Sequence, residues 1–232
     1  MVSVVPYSLN GLIRIQDMTY LDIVNNILKR LRERTVSTVN ESSYSSLIAV
    51  LVNDAKESVE NAWNWSALRT TLSATTTSGI FNYELNGSLN ALTVLDATNV
   101  TDNFFLDYKA AHDFNKFFLS NDVATGSPYY YSFNGVSADG DTQVDLYPIP
   151  DKAYTIRFNC VLRSDDLVND ADTLTVPTKP VELLAYAMAV EERGEDGGIN
   201  PVSAYARATN ALQDAVTLDG NKHPEELVWY ES

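Results

Sequence analysis

Two histidines and one cysteine are the side chains of this 232-residue chain best suited to catalysis or metal binding. A structural zinc site needs about four closely spaced Cys and His ligands, and Cys160, His112 and His223 are too few and too far apart. A Ser-His-Asp triad would need one of the two histidines, and the Gly-x-Ser-x-Gly elbow is missing. We therefore expect no catalytic histidine, and we interpret His112 as a partly buried structural residue.

Three aspartates in a predicted hairpin, Asp139, Asp141 and Asp145, are similar to the start of a calcium-binding loop. However, Gln143 stands at the third ligand position, and Pro150 stands where such a loop needs a bidentate glutamate. The glycine that makes the sharp turn of that loop is also missing. We therefore interpret this segment as a solvated hairpin.

A second acidic group contains Asp165, Asp166, Asp170 and Asp172. It could hold a cation, although such clusters usually face water.

The glycine-rich segment 194–198 precedes a predicted helix, but it lacks the Lys and Ser/Thr of a phosphate-binding loop. The sequence therefore predicts no bound metal ion and no cofactor.

Carboxylates near aromatic side chains leave one alternative function open. Glycoside hydrolysis uses two carboxylates across a cleft, and aromatic rings often help to hold sugars. This chain has 31 acidic residues and 13 tyrosines, and Tyr129, Tyr130 and Tyr131 are consecutive. A carbohydrate-binding or carbohydrate-cleaving surface protein is therefore the alternative hypothesis.

The chain is strongly acidic, because 16 Lys and Arg stand against 31 Asp and Glu, a formal net charge of −15. This charge argues against non-specific binding to duplex DNA, which depends on clustered Lys and Arg. It is compatible with the wall of a channel through which DNA slides, since like charge prevents sticking.

The longest unbroken apolar run, Leu183–Val190, is far shorter than the ~20 residues of a membrane span, so we expect no membrane contact.

The type of acidic residue divides the chain into regions. Residues 67–177 hold 13 aspartates and a single glutamate, whereas glutamate is the commoner acid in the flanking segments. Because Asp favours turns and Glu favours helices, we predict a β region between helical ends. The predicted division is an N-terminal arm and helical hairpin (1–66), an inserted β domain (67–177), a C-terminal helical pair (178–220) and a C-terminal tail (221–232).

Helix signals are clearest near the start of the chain. The spacing of Thr19 and Asp22 is that of a capping box, and apolar residues at helical spacing follow. A second helix is expected over about 41–65, and the short loop before it favours an antiparallel hairpin. Two further helices are expected over residues 178–194 and 200–220.

From residue 68 the apolar pattern changes to a period of two, which is typical of strands. Besides a short helix over 107–119, the predicted strands are Leu68–Thr75, Phe81–Leu85, Leu92–Val100, Phe104–Tyr108, Tyr129–Phe133, Thr142–Tyr147 and Tyr154–Leu162. The amphipathic helix pairs at the two ends can bury their apolar faces against each other. We therefore predict an α+β fold, in which N- and C-terminal helix pairs form a four-helix bundle and an antiparallel β domain is inserted between them.

Basic residues crowd the end of the first helix, where Arg30, Arg32 and Arg34 follow one another closely. They could dock an acidic partner. However, cations at a helix C-terminus are expected from their favourable interaction with its dipole alone. Both interpretations remain open from the sequence.

The predicted tail contains four large apolar residues in a row, Leu227, Val228, Trp229 and Tyr230. Exposed together, they would form an apolar patch of a kind that isolated monomers seldom show. The tail could pack on its own helices, or it could insert into a neighbouring molecule, where Trp and Tyr are favoured anchors.

Four segments carry a resemblance to a known family: Val24-Asn25-Asn26-Ile27-Leu28 with Leu31 and Glu33, Val36-Ser37-Thr38-Val39, Trp63-Asn64-Trp65, and Pro180-Val181-Glu182-Leu183-Leu184. The first two resemble the opening helix and loop of the short-tailed bacteriophage head-to-tail adaptors, also called tail tubular protein A or gatekeeper proteins. The third resembles the end of that family's second helix, and the fourth its bundle-completing helix. The resemblance is strong over 18–66, loose over 178–218, and one of general layout between them.

The resemblance implies a structural virion protein that is not an enzyme. Such adaptors form a ring of twelve copies beneath the portal protein, join it to the tail nozzle protein and line the DNA exit channel. Genomic DNA would pass through the lumen without specific binding, and the chain would be located at the virion neck after assembly in the host cytoplasm. The resemblance further implies that residues 218–232 become ordered on binding the portal.

Overall fold

Helices and strands lie in separate parts of the chain in the computed structural model, which describes residues 18–88, 91–119, 122–194 and 201–222. Of these described residues, those before residue 62 and those after residue 165 form a helical unit, and those from 62 to 165 form a β unit. The helices are α1 (Tyr20–Arg30), α2 (Ser43–Ala62), α3 (Ala111–Asn115), α4 (Thr178–Glu192) and α5 (Pro201–Gly220). The strands are β1 (Arg69–Thr75), β2 (Asn82–Glu84), β3 (Leu92–Asn99), β4 (Phe104–Tyr108), β5 (Tyr130–Val136), β6 (Thr142–Tyr147) and β7 (Thr155–Leu162).

Helix α1 begins where the sequence predicts it. The Thr19 hydroxyl accepts a hydrogen bond from the Asp22 backbone N–H at 3.2 Å, and the Asp22 carboxylate accepts one from the Thr19 N–H at 3.1 Å. This reciprocal pair is the predicted capping box, which is thus confirmed. The apolar face that follows is buried and includes Ile23 and Ile27.

The closest helix packing is between α4 and α5, and α1 contacts α4. Both α4 and α5 bury small side chains, such as Ala185 and Ala208, which allow two helices to approach closely. The Tyr205 hydroxyl of α5 donates a hydrogen bond to the Glu191 carboxylate of α4. Burial, with a contribution from Glu191, raises the pKa of Tyr205 to about 12.

The β unit is one mixed sheet of seven strands in the order β1-β7-β3-β4-β5-β6-β2. All neighbours are antiparallel except β4 and β5, which pair in parallel through Asp107–Tyr130 and Tyr108–Tyr131. A parallel pair needs a long connection, and here the chain passes through α3 and the 3₁₀ turn Lys116–Leu119. A bulge between Val94 and Asp96 interrupts the pairing of β3 with β7.

The core of the β unit lies on the inner face of this sheet. It includes Ile156 and Phe158 of β7, Leu106 of β4, and Val144 and Leu146 of β6. All seven predicted strands are present: β4 and β6 have the predicted ends, and no end of the other five differs from the prediction by more than three residues. The alternation of apolar residues was therefore sufficient to locate the strands.

The predicted four-helix bundle with an inserted antiparallel β domain is wrong. The fold is α+β with five helices in the described residues, and its seven-stranded sheet is nearly closed, barrel-like and partly parallel. Helix α2 is joined to α1 by the Tyr20 hydroxyl, which donates to the Ala49 carbonyl at 2.7 Å, while α4 packs closely against α5. An apolar stripe indicates that a helix buries one face, but it does not say which element covers that face.

The end of β4 also shortens the predicted helix over 107–119, because β4 continues to Tyr108 and α3 begins at Ala111. Within the described residues, no helix combines the length and the apolar character that crossing a bilayer requires.

Candidate functional site

The histidines and the cysteine are not assembled into a reactive centre. His112 lies on α3 and is exposed, so its prediction as a partly buried residue is wrong. Cys160 is buried in β7, and this burial raises the pKa of its thiol. His223 lies outside the described residues. Among the residues that are described, no group of three His, Cys, Asp or Glu side chains could hold a metal ion.

Two of the three aspartates of the predicted hairpin, Asp141 and Asp145, accept hydrogen bonds from the segment around β2. The Asp141 carboxylate accepts a hydrogen bond from the Gly87 N–H at 3.0 Å, and the Asp145 carboxylate accepts one from the Asn82 side chain at 2.6 Å. Asp139 is exposed. These carboxylates therefore connect β6 and its turn to the segment around β2, and they are not arranged as a calcium loop.

Two aspartates of the second acidic group, Asp170 and Asp172, accept backbone hydrogen bonds within the helical unit. The Asp170 carboxylate accepts a hydrogen bond from the Val39 N–H at 2.8 Å. The Asp172 carboxylate accepts bonds from the N–H groups of Asn169 and Val168, which lower the pKa of Asp172. Because these oxygens already accept backbone hydrogen bonds, both side chains have a structural role.

Two asparagines act as clamps within the helical unit. The Asn53 side chain of α2 donates to the Leu167 carbonyl at 3.1 Å and accepts from the Leu167 N–H at 3.0 Å. The Asn25 side chain of α1 makes the same pair of bonds with Val36, at 3.0 and 2.8 Å. A side-chain amide that hydrogen-bonds both the backbone N–H and the backbone C=O of one residue fixes that residue much as a neighbouring strand would. The sequence analysis gave neither residue this role, although Asn25 stands in the first segment that carries the family resemblance.

The three basic residues predicted as an interface have different surroundings. The Arg30 guanidinium donates to the Glu182 carboxylate of α4 at 2.8 Å and lies 5.9 Å from the centre of the Tyr186 ring. Arg30 is therefore engaged in joining α1 to α4. Arg32 and Arg34 are exposed, on the segment that follows α1.

Residues 31–36, called here the basic loop, are held at both ends. Asn25 clamps Val36, and Arg193 at the end of α4 donates to the Leu31 carbonyl at 3.1 Å and pairs with the Glu33 carboxylate. Arg32 itself adopts a positive φ of 60°, which turns the chain sharply at the end of α1. The basic loop is thus a fixed turn that presents two arginines to solvent.

The three consecutive tyrosines do not form one sugar-binding platform. Tyr131 is buried, with its ring 5.7 Å from that of Phe158 in the core. Tyr130 stacks on Phe117 at 5.3 Å, on the opposite face of the strand. Tyr129 is half exposed. The carbohydrate hypothesis therefore gains no support from these residues.

The predicted apolar tail, with Leu227, Val228, Trp229 and Tyr230, lies outside the described residues. The candidate surface that the structure describes is therefore the basic loop, with Asn25, Arg30 and Arg193 as the residues that position it. Its chemistry suits an acidic partner, since it offers two exposed guanidinium groups and no nucleophile or acid-base pair.

Comparison with protein families decides the identity of the chain. The model of the SU10 adaptor protein family matches residues 18–225, a range that contains every described helix and strand. The chain belongs to the SU10 adaptor protein family. No curated protein matches the chain.

The SU10 adaptor family is a family of bacteriophage adaptor proteins, so the resemblance to phage adaptors seen in the sequence is confirmed at that level. Membership indicates a structural phage protein that takes part in head-to-tail connection and is located at the virion neck. The basic loop lies inside the matched range.

Proposed function

We propose that this SU10 adaptor family member forms a ring, of twelve copies as in the adaptors it resembles, between the portal protein and the tail nozzle protein. The ring acts as a gatekeeper of a short-tailed phage and lines the channel through which DNA leaves the head during ejection. It assembles in the host cytoplasm and catalyses no reaction of its own. The family match over residues 18–225 is the observation that carries this proposal.

The charge of the chain supports a role as a conduit. The net charge of −15 is spread along the chain, since residues 62–165 carry a net charge of −5 and the rest of the sequence carries −10. A negative channel wall repels phosphate groups, so DNA can slide without being held. A ring whose lumen is strongly basic would contradict this part of the proposal.

The basic loop is proposed to contact an acidic surface of the portal protein. Arg32 and Arg34 provide the positive charge, and Arg30 positions them by holding α1 against α4. A rigid loop loses little conformational entropy on binding, so its two charges can add affinity.

Reversing the charge of Arg32 should weaken co-assembly with the portal. Attraction between an arginine of the basic loop and an acidic residue of the portal acts mainly on the association rate, and salt screens it. Arg32→Glu and Arg34→Glu should therefore each reduce the affinity for the portal about tenfold at low salt, and by less at high salt. Affinity is measured with the purified portal ring of the same phage.

Arg207→Glu is the matched control, because Arg207 is an exposed basic residue of α5 in the same unit. It changes the net charge by the same amount and should leave portal binding nearly unchanged. An equal loss in all three variants would mean that only the overall charge matters, and the basic loop would then have no specific role.

Deleting residues 223–232 should abolish or strongly weaken portal docking while the monomer stays folded. The deletion removes the apolar residues of the tail and retains Lys222, whose Nζ lies 2.7 Å from the Asp219 carboxylate of α5. Docking is measured by sedimentation with portal rings, and folding by circular dichroism.

A full-length variant with serine at Leu227, Val228, Trp229 and Tyr230 separates chain length from apolar character. It should behave like the deletion, because large apolar and aromatic side chains are the anchors that such a tail offers. Unchanged docking in both variants would remove the tail from the proposed interface.

A further inference from the structure

Strand β1 is an open edge of the sheet. It pairs only with β7 among the described residues, and five of its seven residues are exposed. It contains no proline and a single charge, Arg69 at its start. Proteins usually protect such edges with prolines, charges or covering segments, because unpaired backbone groups readily bind another strand.

The pairing of β1 with β7 shows which backbone N–H and C=O groups of β1 point away from β7. The Thr76 N–H donates to the Tyr154 carbonyl at 2.9 Å, so the Thr76–Tyr154 pair continues the ladder as a hydrogen-bonded pair. Hydrogen-bonded and non-bonded pairs alternate in an antiparallel ladder. The backbone N–H and C=O groups of Thr71, Ser73 and Thr75 therefore point away from β7, while those of Leu72 point towards it.

The other end of the sheet is the three-residue strand β2. Strands β1 and β2 are not neighbours in the sheet, so the barrel-like sheet stops short of closure. Leu72 of β1 and Tyr83 of β2 are only partly buried against the core of the β unit. An added strand with apolar residues on one face would cover these side chains and satisfy the bare edge of β1.

We propose that this edge receives residues 12–16 of a second copy of the chain, so that neighbouring adaptors are joined by strand addition. In that segment the apolar Ile13 and Ile15 alternate with the polar Arg14 and Gln16, which is the pattern of a half-buried strand. The segment lies in the 17 residues that precede the described chain, and a fully extended arm of that length reaches about 55–60 Å.

This inference rests on the proposed ring, and the symmetry of the contact favours the arm as the occupant. Pairing of β1 with β1 of another copy would be self-complementary and would give closed pairs. An arm that binds an edge joins two different surfaces, and such head-to-tail contacts can repeat around a ring.

Hydrogen exchange of β1 amides tests the proposal on the assembled full chain. The outward amides of Thr71 and Ser73 should exchange about 100-fold more slowly than in a variant that lacks residues 1–17. The inward amide of Leu72 should be protected in both proteins and serves as an internal reference. Residue-level exchange measured by mass spectrometry gives all three rates.

Disulfide trapping identifies the source of the strand. Thr71→Cys and Arg14→Cys, which the proposed pairing places on the same outer face of the sheet, are put on separate, differently sized copies, both with Cys160→Ala, and are mixed before oxidation. A disulfide between the two copies is expected, while a Val50→Cys copy, exposed on α2, should give none with Arg14→Cys.

The outcomes separate this inference from the proposed function. Rings that form on the portal with fast-exchanging Thr71 and Ser73 amides would overturn the inference and leave the adaptor proposal intact. Protection that persists without residues 1–17 would mean a different occupant, and protection in a dilute monomer would mean the chain's own arm; both overturn it. If the Thr71 and Ser73 amides exchange slowly and the disulfide forms between copies, but the assembly never binds a portal, the inference is supported and the proposed function is contradicted.

Discussion

Replacing Phe158 by alanine should lower the free energy of unfolding by about 3–5 kcal/mol, the usual cost of removing a large aromatic side chain from a packed core. Phe158 is fully buried in β7, between β1 and β3, and its ring contacts that of Tyr131. The change would leave a cavity at the centre of the sheet. The shift in midpoint of a urea titration followed by circular dichroism measures the effect.

Phe105→Ala is the matched control, because Phe105 of β4 is 70% exposed. The same change of side chain at an exposed position should alter stability by no more than about 0.5 kcal/mol. If the two variants lost equal stability, Phe158 could not belong to a closely packed core, and the inner face of the sheet would have to be assigned differently.

Replacing Arg30 by methionine should lower the free energy of unfolding by about 2–3 kcal/mol. The Glu182 side chain is only 6% exposed, and Arg30 is its closest cation at 2.8 Å. Removing one partner of a buried ion pair leaves an uncompensated charge, which usually costs about 3–5 kcal/mol. We expect less here, since the Arg30 side chain is 38% exposed and water can partly replace it.

Lys179→Met provides the comparison on the same carboxylate. The Lys179 ammonium group lies 3.7 Å from the Glu182 carboxylate, and the lysine side chain is 58% exposed, so its removal should cost at most about 1 kcal/mol. Combining Arg30→Met with Glu182→Met should recover much of the lost stability, because an apolar pair needs no charge compensation. A double variant as unstable as Arg30→Met alone would show that the ion pair is not the reason for the loss.

The Arg30 result also bears on the basic loop. Arg30 joins α1 to α4, and the basic loop begins one residue after α1. A destabilised junction should disturb the presentation of Arg32 and Arg34 without changing their charge. As temperature rises, Arg30→Met should therefore lose portal binding at a lower temperature than the unaltered chain does.

Much of the local structure could be predicted from the sequence. The capping box of Thr19 and Asp22 depends on residues three apart, and the strands depend on a period of two. Both signals are complete within a few residues, so neighbouring side chains decide them. The family resemblance was of the same kind, since it came from short segments of three helices and of the loop after the first.

The arrangement of those elements was not predictable in the same way. Strand β7 lies between β1 and β3, and β4 pairs in parallel with β5, although all five strands were located from the sequence. Nothing in a strand's own pattern states its neighbours. The bundle prediction failed for this reason, because α1, α2, α4 and α5 each have a buried face, and a buried face does not state which element covers it.

The basic loop shows the same division. By itself the sequence determined where Arg32 and Arg34 stand and that they carry positive charge, because position along the chain and ionisation are local properties. Only the tertiary structure decided that Arg193, over 150 residues later, and the Asn25 side chain hold this turn in place. Such contacts depend on how distant segments pack together, and that packing is a property of the whole chain rather than of any short stretch.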